Sequence, residues 1–373
     1  MKIYADHAAT TKLDHAAFET MKPFLTEEYG NASQLYTFAR EPKRALKEAR
    51  RIIASCIGAA PEEIYFTSGG TESDNWALKG SMLLRDDKQA VITSVIEHHA
   101  VLHSCAFLER LKHPVTYLPV NRNGVVCPDT LRESISDNTH LVSIMFANNE
   151  IGTIEPVQEL ADIAHRHGAW FHTDAVQAVG HVPIDVQELQ VDMLSASAHK
   201  FYGPKGAGFL YIRNGVELCP YFNGGKQENG LRAGTENVAA IIGMAVALQG
   251  SCAAMEARTE YLQGLEEQFI LRLHESGLDY LRNGDDHHLP GSISLSFQNA
   301  DGEALLHRLD FMGISVSTGS ACNATSTELS HVIKAIGVPK EYANGTIRIS
   351  LGYENTKDEV DAIAAALQKI LVG

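Results

Sequence analysis

Lys200 lies in the run Ser195-Ala196-Ser197-Ala198-His199-Lys200, which leads into Phe201-Tyr202-Gly203-Pro204-Lys205-Gly206-Ala207-Gly208. Apolar, strand-like stretches flank it, VDMLSAS before and GFLYI after, so the lysine sits on a short connection between two core strands. A lysine at such a place costs free energy unless it is paired or covalently used. The glycines let the backbone turn sharply and approach a ligand closely. An amine held there suits Schiff-base formation with a carbonyl; the plain alternative is a turn carrying a solvated lysine. A second stretch, Thr67-Ser68-Gly69-Gly70-Thr71-Glu72-Ser73-Asp74-Asn75, follows a strand and opens a helix. Free N–H groups at a helix start bind anions, and Thr71 adds a hydroxyl, although an ordinary helix cap reads the same way. No Gly-Lys-Ser/Thr follows and no GxGxxG is present, which excludes a Walker loop and a dinucleotide fingerprint.

Two further strand ends carry polar chemistry. Trp170-Phe171-His172-Thr173-Asp174-Ala175-Val176-Gln177 puts an acid where α/β sheets bind ligands. There Asp174 suits a pyridinium nitrogen, and Gln177, one turn on, a ring oxygen. Glu97-His98-His99 follows AVITS, and a flat imidazole there could stack on a ring or move protons. Asn148-Asn149-Glu150 follows LVSIMFA with amides that could hold polar ligand atoms; turn chemistry is the plain alternative. An anion-binding helix start, a histidine, an amide, an acid and a lysine thus fall in sequence order at strand ends. That set fits pyridoxal 5'-phosphate (PLP) bound through Lys200.

The elements that must position these groups alternate along the chain. EIYFTS, AVITS, VTYLPV, LVSIMFA and WFHTDA read as strands, and TESDNWALKGSMLL, HHAVLHSCAFLERL and VQELADIAHRHG as helices. Such alternation predicts an α/β fold with a mostly parallel sheet covered by helices. NVAAIIGMAVALQGSCAAMEA reads as one long apolar helix, with a domain junction near residue 255. Beyond it come a charged helix, SISLSF, a helix near 302–312, IRISL and a last helix opened by a Thr356/Glu359 capping box. The expected division is a large domain, 14–255, and a smaller α+β domain made of 1–13 and 256–373.

Composition bounds the partners. The 373 residues carry 31 basic and 46 acidic side chains, a net charge of −15, which argues against nucleic acid and anionic membrane as direct ligands. No apolar leader or membrane-length run stands out, and the six cysteines form no CxxC pair, so a reducing cytoplasm is the expectation and no metal site is expected. Cys322 differs from the other five. Its run, Ser317-Thr318-Gly319-Ser320-Ala321-Cys322-Asn323-Ala324-Thr325-Ser326-Thr327, is small and polar, as in a mobile loop.

Nearly end to end, the chain resembles the cysteine desulfurases, fold type I PLP enzymes of the class V aminotransferase group. The resemblance is carried by YADHAATT, YGNAS, TSGGTESDN, EHHAV, NNEIG, HTDAVQ, SASAHKFYGPKGAG, GLRAGTEN, STGSAC and IRISLG. It implies that Lys200 forms the Schiff base, His98 stacks on the ring, Asp174 meets the pyridine nitrogen and Gln177 the phenolic oxygen. Gly70, Thr71, Ser197 and His199 would hold the phosphate. Thr235 resembles the residue donated to the partner subunit's phosphate, which implies a homodimer. Arg348 would hold the substrate carboxylate, with Asn149 and Asn31 completing the substrate side. Cys322 would take sulfur from L-cysteine, leaving L-alanine and a persulfide for an acceptor protein, an iron–sulfur scaffold or a tRNA thiolation protein; the SGSAC-like form resembles the long-cysteine-loop group. His7, Ala32, Tyr36, Lys226 and Asn229 depart from the family pattern near the rim of the expected site. The alternatives are a selenocysteine lyase or related β-lyase on the same scaffold, and a silent PLP-fold scaffold protein.

Overall fold

The computed structural model describes residues 2–84, 89–318 and 329–372. In chain order its strands are β1 (Ile3–Tyr4), β2 (Ile64–Thr67), β3 (Ala90–Ser94), β4 (Val115–Leu118), β5 (Thr139–Ser143), β6 (Trp170–Asp174), β7 (Met193–Ser197), β8 (Gly208–Ile212), β9 (Tyr280–Asn283), β10 (Ser292–Phe297), β11 (Ile314–Ser315) and β12 (Thr346–Ser350). The helices are α1 (His15–Thr26), α2 (Arg40–Cys56), α3 (Gly70–Met82), α4 (His99–Arg110), α5 (Pro128–Ser134), α6 (Val157–Arg166), α7 (Val238–Ala253), α8 (Met255–Ser276), α9 (Gly302–Phe311), α10 (His331–Ala335), α11 (Lys340–Ala343) and α12 (Lys357–Val372).

Seven strands form the main sheet in the order β2-β8-β7-β6-β5-β3-β4. Its pairs are parallel except those of β8, which runs against both β7 and β2. Helices cover both faces, so β5, β7 and β8 are buried along their whole length. Side chains still alternate. Leu194, Ala196, Phe209 and Tyr211 enter the core under α2 and α7, while Met193, Leu210 and Ile212 enter the one under α3 and α4. A second, antiparallel sheet of β12, β10 and β9 packs with α8, α9 and α12 around Phe269, Leu295, Ile347 and Ile363. The N-terminus joins this unit: β1 pairs with β11, and Asp6 bridges to Ser350.

Three departures from the sequence reading concern long elements; short ones, α5, β9, α10 and α11, also form where none was expected. Strand β5 stops at Ser143, but Ile144 and Phe146 still donate to the His172 and Asp174 carbonyls of β6 at 3.1 and 2.8 Å, and Met145, Ala147 and Asn149 line the cavity described below. The long apolar helix breaks at Ala254, where α8 leaves α7 at 69°. Tertiary packing overrides local propensity there, because α7 packs on α1 and α2 whereas α8 buries Leu262, Leu265 and Phe269 in the second core. Finally, α1 forms where no helix was expected, capped by Asp14 Oδ1, which accepts from the Ala17 N–H at 3.1 Å, and despite Pro23 within it. The Thr356/Glu359 capping box forms as read, with reciprocal bonds of 3.1 and 3.3 Å.

Candidate active site

Register brings the chemistry to one sheet edge. Asp174 pairs with Ser195, and Ser197 and Thr67 both pair with Gly208, so β2, β6 and β7 end where β8 begins. A cavity of about 580 Å³ opens above this edge. One wall is the turn from β2 into α3. Gly69 has φ of +147°, a conformation open to glycine, and a Cβ on Gly70 would lie 2.4 Å from Val176 Cγ2. The result is a backbone cradle at a helix start, with Thr71 beside it.

Lys200 ends the short turn after β7. Its Nζ donates to the Ala8 and Ala9 carbonyls at 2.5 and 2.9 Å. Gln177 Nε2 donates to the same Ala8 carbonyl at 3.0 Å, so residues 8–10 form the roof of the cavity. Asp174 Oδ1 accepts from the Val176 N–H at 2.9 Å, and burial pushes its carboxyl up to about 6. His98 caps α4, its Nδ1 accepting from the Ala100 N–H at 3.1 Å, which leaves the proton of the neutral ring on Nε2. Burial and the Lys200 charge bring His98 down to about 4, so the ring is uncharged at neutral pH. His199, lowered to about 4 mainly by burial, meets Thr10 Oγ1 at 3.2 Å.

Arg348 reaches the cavity from β12. Its Nη1 donates to the Asn149 carbonyl at 2.8 Å and its Nη2 to Asp6 Oδ1 at 2.7 Å, while its buried Nε has no partner. A planar fork with spare donor capacity at a cavity wall is suited to a carboxylate.

The chain matches the family Aminotransferase class-V over residues 3–363. It belongs to that family. Among its relatives, the cysteine desulfurase IscS of Dictyoglomus turgidum is 51% identical across 99% of this chain and 94% of its own. The IscS of Methanosarcina thermophila is 48% identical across 99% and 92%. A solved NifS-like protein superposes with a TM-score of 0.94 at 38% identity, covering 100% of both chains. SspA in complex with cysteine gives 0.84 at 37% identity, over 95% of this chain and all of that one. The fold expected from the sequence, a mostly parallel sheet covered by helices, is the one these neighbours share.

As a class V aminotransferase the chain is a PLP enzyme, and its cavity fits that group. The start of α3 with the Thr71 and Ser197 hydroxyls offers donors for a phosphate, and an amine, a carboxyl and an imidazole line the same cavity. The structure brings together Gly70, Thr71, His98, Asn149, Asp174, Gln177, Ser197, His199, Lys200 and Arg348. It leaves two expected residues outside. Asn31 turns its Oδ1 onto the Ser33 N–H at 2.9 Å, and Thr235 is exposed on the loop after β8; neither lines the cavity. Cys322 lies outside the described residues. Sequence reasoning missed Asp74, Lys205 and the roof residues Ala8 to Thr10. Asp74 carried a usable signal, an acid on the apolar side of a helix start.

Proposed function

We propose that the protein is a PLP-dependent cysteine desulfurase that converts L-cysteine to L-alanine and holds the sulfur as a persulfide on Cys322. The observation that carries this reading is one cavity holding Lys200, Asp174 and Arg348, in a chain half identical to proteins named cysteine desulfurase. When bound, PLP would supply a carbonyl for the substrate amine and a sink for the electron pair released at Cα. Gly70, Thr71, Ser197 and His199 would hold its phosphate, and Asp174 would keep a proton at the ring nitrogen. Neutral His98 would face the ring, and Gln177, which here donates to the Ala8 carbonyl, would serve the phenolic oxygen. Lys200 yields its place to the substrate amine and carries the Cα proton. Arg348 exchanges Asp6 for the substrate carboxylate, with Asn149 beside it. A thiol with an ordinary pKa near 8.5 is only a few per cent thiolate at neutral pH, so Cys322 needs deprotonation before it attacks the substrate sulfur.

The working form is a homodimer in which Thr235 completes the partner's phosphate site. Support comes from the placement of Thr235: it faces outward on a loop held by the Arg232–Glu72 pair at 2.9 Å. Exposed Leu25, Tyr29 and Leu35, the last 97% exposed, add apolar surface elsewhere. The sulfur acceptor is a protein, an iron–sulfur scaffold or a tRNA thiolation protein, and the setting is the cytoplasm; among the described residues no single helix is long and apolar enough to cross a membrane. Residues 14–255 act as the cofactor domain, with 1–13 and 256–373 as the smaller one. Incubation with L-cysteine tests the activity. Alanine and a protein persulfide should appear in step, with the persulfide on Cys322. Alanine without persulfide, or a persulfide chiefly on Cys56, Cys105, Cys127, Cys219 or Cys252, would sink the reading.

A further inference from the structure

Behind Asp174 stands a second carboxyl. Asp74, in the first turns of α3, is 1% exposed, and its Oδ1 has no hydrogen-bond partner. One oxygen of Asp74, one of Asp174 and one nitrogen of His98 all lie within 4.8 Å of one another. The adjoining histidine cannot balance a second charge. His172, fully buried on β6, places Nδ1 at 2.8 Å from Ser143 Oγ and Nε2 at 2.9 Å from Ser195 Oγ, so hydroxyls satisfy both nitrogens. Asp74 Oδ1 stops 3.8 Å short of its Nε2. Burial drives His172 down to about 3 and keeps it neutral.

Two carboxylates at this depth and spacing do not both ionise; one of them keeps its proton. The surroundings decide which. Asp174 takes the Val176 N–H at 2.9 Å and faces a cation, the Lys200 ammonium in the free chain and the ring-nitrogen proton once the cofactor is held, and both favour its anion. Asp74 has a hydroxyl contact from Ser195 and meets the repulsion of Asp174. Burial first, then Asp174, drives Asp74 well above the usual carboxylate range. Glu97, itself raised to about 8 by burial, adds no cation, and Glu72, the other acid on α3 facing the cavity, is taken by Arg232.

We propose that Asp74 is a positioning residue that stays protonated, so that the Asp74–Asp174 pair carries a single negative charge and lodges it on Asp174, facing the cofactor's ring nitrogen. This rests on the PLP site proposed above. Its consequence is specific to the ring. A second anion behind Asp174 would hold the ring proton too tightly and would destabilise the sheet edge; a neutral Asp74 leaves one charge matched to one pyridinium proton.

The test uses the holoenzyme in two labelled forms. With carboxyl-labelled aspartate, one aspartate 13C resonance should stay in the protonated range at neutral pH and vanish in D74N. With PLP carrying 15N at the ring nitrogen, D174N should lose the ring proton, whereas D74N, which keeps a neutral group of the same shape, should leave the 15N shift as in wild type. Asp74→Ser serves the same purpose where the amide does not fold, and the wild-type 13C spectrum needs no variant. If D174N leaves the 15N shift unmoved, the site reading fails and this inference with it. If D174N moves it and D74N moves it as far, or if every aspartate is ionised at neutral pH, the inference alone is overturned.

Discussion

The small sheet and the cavity edge of the large one bury polar groups in opposite ways. On the small sheet, Asn283 Nδ2 donates to Ser294 and Ser296 at 3.2 and 2.8 Å, and Ser296 meets Thr346 at 2.7 Å, a closed set with nothing left over. Its buried acid, Glu266, takes His288 Nε2 at 2.8 Å and pairs with Arg282. At the cavity edge the acids have poor company. Asp74 Oδ1 and Glu97 Oε2 lack partners, and burial raises both carboxyls. Among the described residues of 256–372, the one buried side-chain polar atom without a partner is Nε of Arg348, the side chain that leaves the small sheet for the cavity. Unmet polar groups cost stability. Where such a group lines a cavity, as Arg348 does, it marks a place where a ligand completes the set.

The largest way to break this contrast is to remove the amine. Lys200→Ala should abolish the covalent cofactor link and lower turnover by roughly 10³-fold or more, while the melting temperature without cofactor changes little. Absorbance of the purified variant together with alanine release checks this. Full turnover, or a borohydride-trapped lysine adduct, would remove Lys200 from the site.

The closed region should behave in the opposite sense. Leu295, fully buried at the centre of β10, touches no part of the cavity. Leu295→Ala should cost about 2–5 kcal/mol of stability through lost burial and a residual cavity, with cofactor affinity and KM unchanged in the folded fraction. Denaturant melts beside cofactor titration separate the two readings. A selective loss of cofactor binding at full stability would show that the regions are not separable.

The two regions were unequally legible. β7, Lys200 and β8 could be read because both strands are buried on two faces and carry only apolar or small residues around a cation. The start of α3 could be read from its glycines and cap residues. The roof could not, because the contacts of Lys200 with Ala8 and Ala9 cross 192 and 191 residues and depend on how the N-terminus folds back. Arg348 was reachable only through resemblance, since an arginine within IRISL alternates as an exposed strand residue would, yet it is buried. The Asp74–Asp174 proximity arises from a helix and a strand set side by side by the sheet register, a relation that no local spacing encodes.

The smallest effect sharpens the contrast through pH. Burial raises Glu97 to about 8, against about 4.3 for an unfolded glutamate. Folded protein therefore binds more protons than unfolded in that window, so the contribution of Glu97 is present at low pH and is lost as pH rises from about 4.3 through about 8. Burial also acts to raise Glu266, but the His288 hydrogen bond and the charges of His288 and Arg282 outweigh it and leave the carboxyl below its usual range. Its contribution has the opposite sign, present above about 4.3 and lost as pH falls through the folded value. Glu97→Gln keeps the acceptor that Ser94 and the Met145 N–H use at 2.6 and 3.1 Å. It should change stability little in mild acid and gain on wild type as pH rises into the alkaline range. Glu266→Gln should be most harmful at neutral pH and converge on wild type in acid. Thermal melts of both variants and the wild type across pH decide the matter; parallel curves for the two variants would mean that the acids of the two regions are held alike.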